Sequence, residues 1–393
     1  MSQSPMQKLF TENGPKSDAI LEQVIHFGGD YLGGEWKNVK KEQVNVRQIV
    51  GGQSNHLFHV TSSTSATPFL IRIHRQPPLQ VFIDTVNFSI FSERGLGPKL
   101  YGFFDGGRLE EYLPSKTMTL DDVLNPEISR RIGAVFPKYH ASQMPISKTR
   151  SAISLMREWL DGYKQLGGGD YTIRPRTVTY SDHPKTVSID DLARELDTFE
   201  KWASIFEDTV VYSHNDLACG NILELDSTEE IVLIDWEFGT YNWRGFDLAM
   251  HLTQTTVNFR VPFPPGVKFI EELIDNPPNI RNVCEAYVDA DNKLKNRTPS
   301  DRSAEIARLI HECEFFWPLA NLFFGIYSLR KLQENYDCGV DLDVSSSDRL
   351  AIFFHMRPKS QRIYEELFIG SSGRNKSPEL EAMICLSRTS RSS

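Results

Sequence analysis

The sequence predicts an α+β protein of two lobes, a small antiparallel-sheet lobe followed by a larger, mainly helical one. Three observations carry this. The β-rich segments "VNVRQIV" (44–50), "HLFHVTS" (56–62) and "PFLIRIH" (68–74) follow one another through the turn-forming linkers "GGQSN" and "SSTSAT". After Pro114 the pattern changes to long helical stretches. A chain of 393 residues is long enough for two lobes and a large core.

Taken in order, residues 1–16 read as a loose N-terminus. The small lobe runs over 17–113. It opens with the helix "SDAILEQVIHFGGDYL", for which Ser17 is the N-cap, and continues through the three strands. The helix "IDTVNFSIFSERG" and the strands "KLYGFF" and "GRLEEYL" complete it. The large lobe runs over 114–370. Its helices are "SRRIGAVFPKYHAS", "SAISLMREWLDGYKQL", "IDDLARELDTFEKWASIF", "FDLAMHLTQTTVNF" and a long stretch from Ser303 to Tyr336 that Pro318 should break. Residues 166–185 read as a loop, and "TVVYSHND", "NILELD" and "EIVLIDWE" as a short β island. The polar, Ser-rich residues 371–393 read as a disordered tail whose loss should change little. No internal repeat is visible.

Composition excludes several classes. Apolar residues make up 40% and charged residues 24%, as in an ordinary globular protein. A net charge of −9 gives no reason to expect nucleic acid or an anionic membrane surface as a partner, and is compatible with a small cationic substrate. The five cysteines are scattered and form no CxxC pair, so neither a zinc site nor a disulfide framework is expected. The N-terminus has no apolar signal-like region. The apolar run from Phe315 to Tyr327 is too short to span a membrane. A reducing, cytoplasmic location follows as the expectation.

The chemistry lies in "HNDLACGN" (214–221) and the "IDWE" that follows. H-x-D-x4-N and then D-x-E, each at the end of a β segment, match the catalytic loop of kinases. Phosphoryl transfer needs a carboxylate to receive the hydroxyl proton and hard oxygen ligands for Mg²⁺ on the nucleotide phosphates. Asp216 is thus the candidate base, and Asn221 and Asp235 are the candidate metal ligands. Glu237 adds a second acid, and His214 braces the loop. Asp and Asn are also ordinary turn residues, so it is the combination with an upstream Gly loop that carries the reading. In that loop Gly52 lets backbone N–H groups approach phosphates, and Ser54 and Asn55 add donors. Arg72 stands where a nucleotide-binding lobe needs a cation, with Asp84 as a candidate partner. "EEYLP" resembles a hinge, whose Glu111 and Leu113 backbone would meet the adenine edge.

At this point the chain resembles the choline/ethanolamine kinase family. The stretches "GGQSNHLF", "ERGLGPKLYGFFDGGRLEEYLPS", "HNDLACGNIL" and "LIDWEFGTYNWRGFDLAMHL" carry the resemblance, with a weaker match in "NLFFGIYSLRKLQENY". The resemblance implies a protein-kinase-like fold, ATP with Mg²⁺, and phosphorylation of the hydroxyl of choline or ethanolamine, the first step of phosphatidylcholine or phosphatidylethanolamine synthesis. It supports Asp216 as base, Asn221 and Asp235 as metal ligands and Arg72 as the phosphate-binding arginine. It makes Asn242, Arg244 and Asp247 structural, and the last two stand close enough in sequence to pair on one helical turn. Family members are often dimers, so a homodimer is allowed. A protein kinase is disfavoured: "DWE" replaces DFG, no APE or G-x-G-x-x-G occurs, and Arg72 replaces the usual lysine. A silent binding or regulatory subunit is the remaining alternative. The amine pocket departs from the family pattern. Gln254 stands at its acid, Phe259 near its tyrosine, and Phe324 and Tyr327 at its two tryptophans, although the last two also fit plain helix core.

Overall fold

The computed structural model describes residues 4–49, 55–75, 78–149, 151–298 and 301–369. Gly52, Ser54, Cys385 and the expected tail lie outside them. The chain divides into two compact units, Met1–Lys116 with Glu224–Glu237, and Thr117–Leu223 with Phe238–Ser393. The segment Glu224–Glu237, which the sequence groups with the residues after 114, therefore belongs to the small unit.

In the small unit the strands β1 (Val44–Ile49), β2 (Asn55–Ser62), β3 (Phe69–His74), β4 (Leu100–Phe104) and β5 (Gly107–Glu111) form one antiparallel sheet in the order β1-β2-β3-β5-β4. The register sets Ile71 opposite Leu109 and Arg72 opposite Arg108. Alternation along a strand then gives the sheet two different faces. Phe69, Ile71, Ile73 and Leu109 join a core with Phe58, Val60 and the helical residues Ile20, Val24 and Phe27. Arg72 and Arg108 fall on the other face.

The helices of this unit are α1 (Pro5–Glu12), α2 (Asp18–Phe27) and α3 (Pro78–Glu93). Ser17 caps α2 as its sequence predicts. Where the sequence reads as a loose N-terminus, Pro5–Glu12 are helical. Ser4 and Gln7 form a capping box on α1, and Phe10 is buried with its ring 5.2 Å from that of Phe58. Two helical turns carry too short a periodicity to stand out in the sequence; the burial of Phe10 and the Gln7 Nε2 bond to the His74 carbonyl (2.7 Å) hold them.

The large unit is mainly helical. The longest helices after α4 (Leu120–Leu124) are α5 (Pro126–His140), α6 (Ala152–Gln165), α7 (Ile189–Ala203), α8 (Arg244–Gln254), and, beyond the short α9 (Glu271–Asp275), α10 (Ile280–Leu294), α11 (Arg302–Gln333) and α12 (Leu342–Ile369). Pro318 does not break α11. The helix is buried at every position from Phe315 to Ile326, so packing outweighs the missing N–H. The expected extension of α8 to Phe259 is absent, because Thr253, Thr255 and Thr256 turn their hydroxyls back onto the carbonyls of Met250, Leu252 and Thr253. The chain then enters a short strand at Val257–Asn258.

Gly245 lets α8 approach α11 closely, since a Cβ there would lie 2.5 Å from Glu312 Cβ. That approach explains a second departure. Arg244 does not pair with Asp247. Its Nε and Nη2 donate to Glu312 Oε2 and Oε1, each at 2.8 Å, and Arg308 Nε also reaches Glu312 at 3.2 Å. Glu312 is fully buried, and removing a guanidinium would leave a carboxylate there short of partners. We predict that Arg244→Met destabilises the protein by about 2–4 kcal/mol in urea unfolding. A change within about 0.5 kcal/mol, the size of an ordinary surface substitution, would show that Arg308 alone suffices for Glu312.

Candidate active site

In the small unit a chain of alternating charges crosses the polar face of the sheet. Asp84 Oδ2 accepts from Arg108 Nη1 at 2.6 Å, and Arg108 Nε donates to Glu110 Oε1 at 2.6 Å. The same oxygen accepts from Arg72 Nε at 2.7 Å, and Arg72 Nη1 reaches Asp235 Oδ1 at 3.3 Å. Asp84, suggested by the sequence for Arg72, is thus bonded to Arg108 and acts on Arg72 through its charge. Burial alone would lower the pKa of Arg72, but Glu110, Asp235 and Asp84 outweigh it and hold the guanidinium above its usual range. Burial would likewise raise Glu110 and Asp84, and the two arginines hold both below the carboxylate range. The network fixes Arg72 as a cation with a defined direction.

Asp235 follows the strand Ile231–Leu233 with a φ of 65°, a left-handed conformation that an aspartate adopts at some cost. Its neighbour Trp236 secures it. The Trp236 carbonyl accepts from Asn87 Nδ2 at 3.0 Å, and its ring lies 4.4 Å from that of Phe91 on α3. Glu237 is buried. Asn55 begins β2 opposite His74 and is also buried. At the end of β5 the two residues that the sequence suggests for a hinge differ. The Glu111 N–H donates to the Lys99 carbonyl at 2.8 Å, while the Leu113 N–H donates to no acceptor among the described residues.

In the large unit the strand Val210–Ser213 pairs with Thr240–Trp243, and the loop from His214 leaves between strand and α8. Asp247 on α8 anchors it. Its Oδ2 accepts the His214 N–H at 2.8 Å and its Oδ1 the Asn215 N–H at 2.7 Å, while His140 Nε2 lies 3.1 Å from Oδ2. Burial would raise the Asp247 pKa, but His140 outweighs it and the carboxyl sits below its usual range. Asn215 holds a φ of 63° and is fixed by donation to the Phe238 carbonyl and acceptance from Asn242 Nδ2, each at 2.9 Å. His214 Nδ1 accepts the Asp216 N–H at 3.3 Å, the bracing role its sequence position suggests. His251 Nδ1 donates to the Leu217 carbonyl at 3.0 Å.

Asp216 emerges from this frame half-buried, with its Oδ1 accepting from Gln254 Nε2 at 3.2 Å. Asn221 turns its Nδ2 onto the Asp216 carbonyl (2.9 Å), which leaves its Oδ1 without a partner among the described residues. Gln254 passes the contact on, its Oε1 accepting from Arg349 Nη2 at 3.4 Å. Phe324 and Tyr327 both belong to the aromatic core around Phe238 and Phe323. Phe259 is exposed and makes no ring contact among the described residues, because α8 ends before it. Sequence reasoning missed Asn215, His140, Glu110, Arg108 and Arg349. It also missed His251, the one of these with a signal in the sequence, its spacing of one helical turn from Asp247.

Solved structures and curated relatives agree with this architecture. A choline kinase from Cryptosporidium parvum superposes with a TM-score of 0.68 at 17% identity, over 89% of this chain and 98% of that one. A Plasmodium vivax ethanolamine kinase gives 0.65 at 17% identity, over 91% and 97%. The chain shares the fold of those two structures. "Choline kinase B2" of Caenorhabditis elegans is 66% identical over 363 residues, 92% of this chain and 98% of that protein. "Choline kinase B1" of the same organism is 62% identical over 93% and 99%. A sequence model of the choline/ethanolamine kinase family matches residues 46–354, and the chain belongs to that family. It is a phosphotransferase with an alcohol group as acceptor, and membership of a kinase family implies ATP as donor. Nothing here favours the silent-subunit alternative. No helix among the described residues is long and apolar enough to cross a membrane.

The packing behind the loop sets a pH dependence. Burial pushes His251 down to about 4, against the pull of the Leu217 carbonyl and Asp247. Its folded pKa thus lies below its unfolded value near 6.5, so its contribution is fully present above that pH and is lost as pH falls toward 4. The loss amounts to about 3 kcal/mol at its limit. His251→Asn, whose amide can still donate to the Leu217 carbonyl, should flatten the fall in urea midpoint between pH 6.5 and 4. An unchanged slope would remove His251 as its source.

Proposed function

We propose that the protein transfers the γ-phosphoryl group of ATP to the hydroxyl of choline, with ethanolamine as a competing acceptor. The observation that carries this is the buried frame of Asp247, His214 and Asn215, which presents the Asp216 carboxylate on an otherwise fixed loop. Asp216 receives the hydroxyl proton at its carboxylate as the oxygen attacks the phosphorus. Arg72, oriented by Glu110, faces phosphate charge, and the open Leu113 N–H suits an adenine edge. The high identity to two curated choline kinases supports choline as the acceptor.

Asn221 and Asp235 are the residues that would hold Mg²⁺. The donor chemistry fits: both offer hard oxygens, and the described residues contain no cluster of three or more His, Cys, Asp or Glu able to cage an ion unaided. Mg²⁺ is commonly held by one or two carboxylates together with substrate phosphates, and when bound it neutralises phosphate charge. Glu237 adds negative charge for the amine, and Gln254, Phe324 and Tyr327 belong to the amine end. A cytoplasmic, homodimeric enzyme completes the proposal; the cysteines among the described residues are unpaired, which suits a reducing compartment.

Two variants test these roles. Asp216→Asn should lower kcat by roughly 10²–10⁴-fold while the KM for ATP stays within about threefold. Retention of more than about a tenth of wild-type turnover would remove Asp216 as base. Asp235→Ala should abolish Mg²⁺-dependent turnover in choline phosphorylation assays, and normal activity in that variant would exclude the "IDWE" carboxylate from metal binding.

A further inference from the structure

Arg349 on α12 is a buried cation. The residue is 2% exposed, and no carboxylate lies within ion-pair distance of it among the described residues. Its guanidinium carbon lies 5.0 Å from the centre of the Phe324 ring and 5.1 Å from that of Phe269. Its Nη2 reaches Gln254 Oε1 at 3.4 Å and its Nη1 reaches Asn321 Oδ1 at 3.5 Å, and its Nε has no partner. Burial lowers its pKa to about 10 against the pull of Asp216 and Asp348, so it stays charged at neutral pH. Asp348 is itself engaged by the Arg176 N–H (2.6 Å) and by the Thr177 N–H and hydroxyl (3.1 and 2.6 Å).

Aromatic faces together with neutral amides are the surroundings in which an alkylammonium group is held. Here the chain's own guanidinium has that setting, one residue removed from the base through Gln254. Gln254, which separates Arg349 from Asp216, carries no charge. A second cation close to Arg349 would meet a like charge in a poorly solvated place, which at effective dielectric constants of ~20–40 lowers affinity by about tenfold to a hundredfold.

We propose that Arg349 determines specificity: it fills the cation position against Phe324, so that the enzyme accepts an uncharged alcohol of choline's shape about as well as choline itself. The inference rests on the proposed choline-phosphorylating site containing Gln254 and Phe324. It identifies the acceptor class as small primary alcohols, with the positive charge of the acceptor contributing little.

The test compares kcat/KM for choline and for 3,3-dimethyl-1-butanol, its carbon isostere without charge. Wild type should favour choline by no more than about threefold. Arg349→Met should raise that preference by at least about tenfold, mainly through a lower KM for choline, with the KM for ATP unchanged. Arg349→Lys, which keeps the charge, should retain the wild-type ratio. A wild-type preference for choline above about tenfold, or an unchanged ratio in Arg349→Met, would overturn the inference while leaving choline phosphorylation intact. Turnover of neither alcohol by wild type would overturn the proposed function and this inference with it. The wild-type ratio needs no variant, so the proposal stays open to refutation even if Arg349→Met fails to fold.

Discussion

Asp247 accepts two consecutive backbone N–H groups and an imidazole while shut off from solvent, and the position of the loop that carries Asp216 follows from that. A carboxylate without partners at that depth would be costly, and three donors remove the cost. The donors come from the loop itself and from α5, so the helix, the strand before the loop and the turn at Asn215 are held together at one point. Asn215 can remain left-handed because Asn242 and the Phe238 carbonyl engage its side chain. The Asp216 carboxylate, the proposed base, accepts from Gln254 Nε2 beside this frame.

The molecule treats its buried cations in two ways. Arg72 and Arg108 are interleaved with Asp84, Glu110 and Asp235, so their charges are neutralised and their directions fixed. Arg244 is likewise matched by Glu312. Arg349 has rings and amides instead. The contrast is physical. A guanidinium paired with carboxylates acts locally as a dipole, whereas one stacked on aromatic faces still projects its charge onto whatever binds nearby.

Much of this was legible in the sequence, and the exceptions have physical causes. The strands of the small unit stood out because their segments are β-rich and the linkers between the first three are rich in turn formers. Asp216, Asn221 and Asp235 stood out because their spacing is set by a short loop and the hairpin after it. The partners of Arg244 and Asp247 did not, because helical proximity suggests pairing on one turn while the close approach allowed by Gly245 offers Arg244 a better carboxylate from another helix. The continuity of α11 through Pro318 depends on burial that no local signal reveals. Arg349 lies in the unremarkable run "DRLAIFF", and only packing brings its guanidinium to Phe324 and Gln254.

The central claim is that the Asp247 carboxylate positions the loop that presents Asp216. Asp247→Asn tests it most directly. The substitution preserves shape but turns an amide donor toward one of the donors that the carboxylate now accepts. The account predicts that kcat for choline falls at least about tenfold in enzyme that still unfolds cooperatively, with the KM for ATP within about threefold of wild type. A kcat within about twofold of wild type would contradict it and place the control of the loop elsewhere.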